Sequence, residues 1–390
     1  MTDTHRPLAP FAYNSPSHRL VFGGGCRSKV PAELELLRVS RPMLICSPRA
    51  AASDEVRALV QSLSLTSDAV YAGAVTHAPI DAAHEGAARA RALDADVLIS
   101  FGGGSASDLT KGIGLSLAEP GGIMPFVLER TRDGRVLSPV SQAKKLPIVA
   151  IPTTVSGAEV TPGFALTDAS GKKILFRDAS LCPAVLVYDA ELMIGVPVDA
   201  MTASAMNCLA HGAEAYYSRG RNPISDMFAG RSLPLVYGAM RAIISGDRSP
   251  AIYGELALGA YYAGIAIVNA RTGLHHSICH KLAPATGITH GLANSIMLPR
   301  VLAFNRDHAR EELMAVAKLI GREDEGPDGA IAAFRSLPLS AGLPTRLRDL
   351  GVDAGIFPAL AERILTEPGL TFNPRPVTCA AEIEEVLLSA

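Results

Sequence analysis

From Arg19 to about Thr154 the chain alternates short apolar or β-branched runs with stretches whose apolar residues recur every three or four positions. The runs RLVFG from Arg19, PMLICS from Pro42, DAVYAG from Asp68, VLISFGGG from Val97 and PIVAIPTT from Pro147 predict strands. ELELLRV, SDEVRALVQSLS and DAAHEGAARARALDA, between them, predict helices. A βα succession of this kind builds a mostly parallel sheet with helices on both faces, and such sheets bind ligands beyond the carboxyl ends of their strands. After LVYDAELMIGVP the strand signal stops, and long Ala-rich amphipathic stretches begin at DAMTASAMNCLAHGAEAYYS and ISDMFAGRSLPLVYGAMRAII. The expected fold is an α/β domain over residues 1–188 followed by an all-α domain over residues 189–390. The hydrophilic stretch ERTRDGRVLSPVSQAKK from Glu129 reads as a surface hairpin turning at Asp133 and Gly134.

A chain of 390 residues exceeds one comfortable core, which agrees with two domains and hence a cleft. With 48% hydrophobic and 19% charged residues, and Gly and Pro spread along the chain, all of it is expected to fold. A formal charge of -2 provides no broad basic field, so the expected partner is a small molecule and not nucleic acid or a membrane. The start, MTDTHRPLAPFAYNSPSHRL, lacks a basic segment followed by an apolar one, and no run of about 18 apolar residues occurs, so a cytoplasmic protein is expected. Six cysteines (Cys26, Cys46, Cys182, Cys208, Cys279, Cys379) stand far apart without a C-x-x-C pair. They read as small buried apolar residues, not a zinc ribbon, redox dithiol or disulfide framework.

Two loops carry candidate chemistry in the first half. VLISFGGGSASD, from Val97 to Asp108, runs from a strand through three glycines into a helix, leaving backbone amides and a helix amino terminus free for a pyrophosphate. It is not G-x-G-x-x-G, and a plain strand-to-helix turn is the alternative. IPTTVSGAEVT, from Ile151, places hydroxyls and a glycine in a further loop at the same sheet edge, suited to a phosphate or ribose or to capping a helix.

In the second half Asn207 and His211 are four apart and share a helix face, joined by Glu214 one turn later. GLHHSICHKL gives His276 and His280 the same spacing, and a loop leads to His290. Four of the ten histidines at these intervals point to one shared site, either metal-binding or proton-transferring. A divalent cation among neutral imidazoles gains much from one anionic ligand, and Asn207 offers only an amide oxygen. Three histidines alone can still hold zinc.

Over nearly its whole length the chain resembles the iron-containing alcohol dehydrogenase superfamily, and within it the maleylacetate reductases. The motifs are FAYNSPSHRLVFGGG, GGGSASDLTKGIG, PTTVSGAEVTP, YDAELMIGVP, MNCLAHGAEAYYS and GLHHSICHKLAPATGITHGLANSIMLPRVLAFN. The resemblance implies a dehydroquinate synthase-like architecture with a dinucleotide-binding first domain and a helical catalytic second domain. It implies that Gly102, Gly103, Gly104, Ser105, Asp108, Thr153 and Thr154 bind NADH or NADPH. In the first βα turn, CSPRAA from Cys46, no acidic residue is placed to grip a ribose 2′-hydroxyl; Ser47 and Arg49 stand there, and Arg49 suits a 2′-phosphate.

Metal-dependent members ligate iron or zinc through positions that here are Asn207, His211, His276 and His290, with His280 near the nicotinamide. Three departures match the maleylacetate reductases: Asn at 207, a shorter loop between Thr154 and Glu159 running into Thr161-Pro162, and the doubled His275-His276. Asp108 and THGLAN follow the general alcohol dehydrogenase pattern. The implied reaction is hydride transfer to an unsaturated oxo-dicarboxylate, maleylacetate to 3-oxoadipate, in the breakdown of aromatic compounds. His211, His276, His280, His290 and Asn207 then form the catalytic set, without a required metal, although His211, His276 and His290 leave zinc or iron open. Arg231, Arg271 and Lys281 are the nearest cations in sequence for anchoring a dicarboxylate. The resemblance also implies a homodimer. The rival readings are a zinc- or iron-dependent alcohol dehydrogenase, a sugar-phosphate cyclase of the same architecture, and a non-catalytic dinucleotide-binding protein.

Overall fold

The computed structural model describes residues 10–15, 17–75, 78–130 and 136–390. Among them run the strands β1 (Arg19–Phe22), β2 (Pro42–Ile45), β3 (Val70–Tyr71), β4 (Val97–Gly102), β5 (Glu129–Arg130), β6 (Val136–Leu137), β7 (Ile148–Pro152), β8 (Gly163–Thr167), β9 (Lys173–Arg177) and β10 (Val185–Tyr188). Threaded between them are α1 (Val30–Leu37), α2 (Pro48–Ala51), α3 (Asp54–Ser62), α4 (Ile80–Ala92) and α5 (Gly104–Ala118). Six strands pair in parallel in the order β1-β10-β7-β4-β2-β3.

Both faces of this sheet are buried, and the period of two decides which residue fills which layer. Val97, Ile99 and Phe101 of β4 pack with Val30 and Leu34 of α1 and with Val56 and Leu59 of α3. Leu98 points the other way, with Met43 and Ile45, into a layer closed by Leu109 and Ile113 of α5 and Ala83 of α4. After β2 the chain steps outward to β3 and then returns to the other side of β2 as β4. The carboxyl ends of β2 and β4 therefore flank the topological switch point, where a parallel sheet opens a ligand crevice. At the sheet's edge β3 is shorter than DAVYAG predicts, because Ser67–Ala69 form a 3-10 turn.

The hairpin of β8 and β9, antiparallel with Gly163 opposite Arg177 and Thr167 opposite Lys173, was not foreseen from the sequence. Phe164, Leu166, Ile174 and Phe176 drive it onto the α4 and α5 side of the core. Lys173, Leu175 and Arg177 alternate to its other face and stay half-buried. The excursion from Glu129 pairs β5 with β6 as a hairpin; its expected turn at Asp133 and Gly134 lies outside the described residues.

From residue 189 onward the described chain is helical: α6 (Ala190–Ile194), α7 (Val198–Tyr217), α8 (Pro223–Ile244), α9 (Pro250–Ala270), α10 (Leu274–Thr286), α11 (His290–Asn305), α12 (Arg310–Leu319), α13 (Pro327–Ser340), α14 (Phe357–Leu365) and α15 (Ala380–Leu388). By length and composition α9 could cross a membrane, but it packs among α7 and α8 with 61% of its most apolar window buried, as a core helix does. One apolar cluster joins α7, α8 and α9 to Leu186 and Tyr188 of the sheet, so the helical part is fixed against the strands. A second gathers α10 and α11 with α14 and α15. Cys26, Cys46, Cys208 and Cys279 are buried as expected, whereas Cys182 is half-buried and Cys379 exposed, in the turn that caps α15.

Candidate active site

Helices α7 and α10 face each other and bring the two spaced pairs together. The 3.6-residue period puts Asn207, His211 and Glu214 on one side of α7, and all three are buried. His211 stacks on His276 of α10, with ring centres 4.7 Å apart and planes 10° from parallel. His280 stacks on His290 at 5.9 Å, and His276 lies 6.4 Å from His290, so the four expected histidines form one continuous group. His290, expected in a loop, is instead the first residue of α11, whose N-cap Thr289 accepts from the amide of Leu292.

His276 has an oxygen at each ring nitrogen. Nδ1 meets the Glu214 carboxylate, and Nε2 lies 3.2 Å from Asn207 Oδ1. Asn207 is oriented by its Nδ2, which donates to Ser156 O at 2.7 Å, so the amide oxygen must face the imidazole. Glu214 Oε1 accepts from the backbone amides of Gly273 and His275, at 3.0 Å each. Burial alone would raise the Glu214 carboxyl, but His276, then His275 and the Gly273 amide, outweigh it and hold the carboxyl below its usual value. In the sequence, Glu214 only shares a helix face with Asn207 and His211. Its position three residues after His211 was the available signal, and its role appears only when α10 is docked.

His211, His275, His280 and His290 are held neutral near pH 7. Burial pushes His211, His280 and His290 well below the ordinary histidine value, reinforced by the neighbouring rings and, for His280 and His290, by Lys173. His275, fully buried against Cys279 and Asn294, is lowered to about 4. The buried Nδ1 atoms of His211 and His290 have no partner. His280 and His290 are half-buried, while His211 and His276 are not accessible to the same degree.

Across from the histidines, the glycine loop lies at the switch point. Gly102 ends β4 at φ +142°, and Gly103 approaches the next loop so closely that a Cβ would sit 2.8 Å from Thr154 Oγ1. No side chain caps α5, and the amides of Ala106 and Ser107 turn back to Gly103 O, so Gly104 and Ser105 present open amides. Thr153 is tied by its amide to Gly102 O at 3.0 Å, which joins the two loops. Ser47 caps α2 at the end of β2, and Arg49 follows it exposed. This cradle fits the pyrophosphate of a dinucleotide. Asp108 is turned away, accepting from Ala165 N of β8 at 3.3 Å, and burial raises its carboxyl.

Of the expected cations, Arg231 is exposed on α8 and is not among the charges acting on the histidines, and Lys281 is paired with Glu367 at 2.7 Å. Arg271 closes α9. Lys173, on the unforeseen hairpin, adds its charge to the lowering of His280 and His290, as Lys281 does for His280.

The donor set fits a family metal poorly. Among the described residues, the group of three whose ligand atoms lie within 4.8 Å of one another is Glu214, His275 and His276, and not His211, His276 and His290. Asn207 contributes no charge, and its amide is committed on both sides.

A switch-point glycine loop facing a histidine-lined helical half defines a two-lobed oxidoreductase architecture. The family model described as iron-containing alcohol dehydrogenase matches residues 16–190, and that of the Fe-containing alcohol dehydrogenase family, C-terminal, matches residues 201–390. The chain belongs to the iron-containing alcohol dehydrogenase family and is an oxidoreductase, which sets aside the cyclase and non-catalytic readings. It is 34% identical to lactaldehyde reductase of Escherichia coli K12 over 324 residues, 81% of this chain and 82% of that protein. It is 30% identical to maleylacetate reductase of Rhizobium sp. strain MTP-10005, over 95% of each. The structure of maleylacetate reductase from Agrobacterium tumefaciens superposes with a TM-score of 0.82 at 29% identity, covering 98% of both chains.

Proposed function

We propose that this oxidoreductase reduces the carbon-carbon double bond of an unsaturated oxo-dicarboxylate, maleylacetate to 3-oxoadipate, without a metal. The observation that carries the reading is Asn207: a neutral amide held between Ser156 O and His276 Nε2, at the position where a metal would want an anion. A ketone conjugated to the double bond already draws electrons from it, so a Lewis acid is less needed than for a simple aldehyde.

In this reading residues 1–188 hold NADH or NADPH and residues 189–390 hold the substrate. Gly102 to Ser105, with Thr153 and Thr154, cradle the pyrophosphate, and Ser47 and Arg49 lie toward the adenosine ribose. The bound nicotinamide supplies the hydride. His280 and His290, neutral and half-buried, donate hydrogen bonds to the ketone oxygen as enolate charge develops there. The enolate carbon then takes its proton from solvent through the same imidazoles. His276 is a positioning residue, braced by Glu214 and Asn207, against which His211 packs.

A second reading, reduction of a short hydroxyaldehyde, is favoured by the lactaldehyde reductase relative. Nicotinamide oxidation followed with maleylacetate and with lactaldehyde separates the two. The account expects the higher kcat/KM with maleylacetate; a clear preference for lactaldehyde overturns it.

A further inference from the structure

The first turn of α10, the helix that carries His276 and His280, is held by two side chains from distant parts of the chain. Gly273 is its N-cap, and a helix start leaves amides without partners inside the helix. Glu214 Oε1 of α7 accepts from Gly273 N and His275 N at 3.0 Å each, and Asn373 Oδ1 accepts from Leu274 N at 3.2 Å. The two acceptors converge tightly: a Cβ at Gly273 would lie 3.0 Å from Asn373 Oδ1 and 3.2 Å from Glu214 Oε1. Any side chain at this position would push against both.

Asn373 is itself fixed from behind. It is buried, and its Nδ2 donates to Asn305 Oδ1 and to Arg375 O, at 2.7 Å each. Asn305 Nδ2 donates back to Asn373 Oδ1 at 3.0 Å. Asn305 is the last residue of α11, the helix that His290 begins. With both donors used, the Asn373 amide has one orientation, its oxygen turned to Leu274 N. A buried amide whose hydrogen bonds are all made is rigid, and its partners are costly to leave unpaired.

The segment that delivers Asn373 is pressed against the same helices. Pro368–Phe372 form a 3-10 turn, and a Cβ at Gly369 would sit 2.8 Å from Ser277 Oγ and 3.2 Å from Gly273 O. Glu367, just before it, pairs with Lys281 of α10 at 2.7 Å. Phe372 O accepts from Arg219 N, just beyond α7, at 2.9 Å. The segment therefore joins the end of α7, the start of α10 and the end of α11, the three helices that carry His211, His276, His280 and His290. Leu274 stands two residues before His276, whose ring meets Glu214 on one side and Asn207 on the other. A small rotation of this first turn is passed directly to that ring.

We propose that Asn373 is a positioning residue for the reduction: with Glu214 it sets the first turn of α10, and so the placing of His276 and, one turn on, His280. It acts through the Leu274 amide and not on the substrate. The role rests on the histidine group being where reduction occurs, and it holds for either substrate considered above.

Two substitutions separate positioning from stability. Asn373→Leu removes the acceptor facing Leu274 N together with both donors. Asn373→Asp keeps an acceptor for Leu274 N and loses only the donors. Both variants are expected to unfold at lower urea than the unaltered protein. NADH oxidation is assayed with maleylacetate and with lactaldehyde, and the better substrate is used. Asn373→Leu is expected to lower kcat by about tenfold or more with KM and Kd for NADH within about threefold, whereas Asn373→Asp keeps kcat within about threefold of the unaltered enzyme. The imidazole proton between His276 and Glu214, assigned in the NMR spectrum by its loss in Glu214→Gln, is expected to shift in the leucine variant and hold in the aspartate variant. Should the leucine variant fail to fold, Asn373→Ser, whose side chain ends short of Leu274 N, takes its place. An unmoved kcat in the leucine variant, or an equal fall in both variants, overturns the role. If the unaltered protein reduces neither substrate, the reductase reading fails and the NMR signal decides alone: a shift confined to the leucine variant upholds the positioning role, and a signal that does not move overturns it.

Discussion

Asn207 Oδ1 lies 3.2 Å from His276 Nε2, and Glu214 holds the other nitrogen of the same ring. An imidazole fixed at both ends cannot rotate toward a ligand, and the atom that fixes its outer end is an amide oxygen. The residue type at 207 therefore decides whether this pocket favours a cation. Asn207→Asp places an anionic donor beside His211 and His276, and the expected outcome is a rise in zinc affinity of roughly tenfold or more, measured by calorimetry. Unchanged zinc binding contradicts this role for the amide.

Glu214 makes three contacts from the core, to His276 and to the amides of Gly273 and His275. Glu214→Gln keeps the shape but removes the charge facing Nδ1. Maleylacetate turnover is expected to fall by about ten- to a hundredfold in kcat, with KM little changed and the pH profile displaced, as for loss of an orienting partner. Loss of stability with an unaltered pH profile contradicts a positioning role.

The cradle is tightest at Gly103. In Gly103→Ala the new methyl meets Thr154 Oγ1 at 2.8 Å, so the Thr154 side chain must shift. Kd for NADH, read from nicotinamide fluorescence, is expected to rise by on the order of tenfold while the thermal midpoint is retained. Equal NADH affinity contradicts the cofactor site.

Stability should depend on pH through the buried imidazoles. His275 is held at about 4 in the fold against an ordinary 6.5, because burial disfavours its cation. Between those values the unfolded chain binds a proton that the folded one does not, so stability is complete above about 6.5 and is lost as pH falls toward 4. The loss from His275 alone is on the order of 3 kcal/mol, and His211, His280 and His290 act in the same direction. Urea midpoints should fall between pH 7.5 and 5, and a flat profile contradicts neutral burial of the cluster.

Much of this was legible in the sequence where periodicity and burial coincide. β4 declares itself because Val97, Leu98, Ile99 and Phe101 are apolar and fill both faces, and α7 because Asn207, His211 and Glu214 keep a helical interval. The β8–β9 hairpin did not, because both strands are only five residues long, GFALT is buried on both faces at Phe164, Ala165 and Leu166, and KILFR begins and ends on a cation. With the hairpin went Lys173, and the anchors were sought among cations close in sequence to the histidines. Lys281 met that criterion, yet its charge is answered by Glu367, a pairing that depends on the docking of a distant segment.

Activity without metal is the central claim, and it is directly measurable. The enzyme is stripped with a chelator, its metal content is measured, and NADH oxidation with maleylacetate is followed before and after addition of Zn2+ or Fe2+. The expected result is an undiminished rate in metal-free protein and no gain on adding either ion. A rate that vanishes on stripping and returns in proportion to bound metal contradicts the proposal.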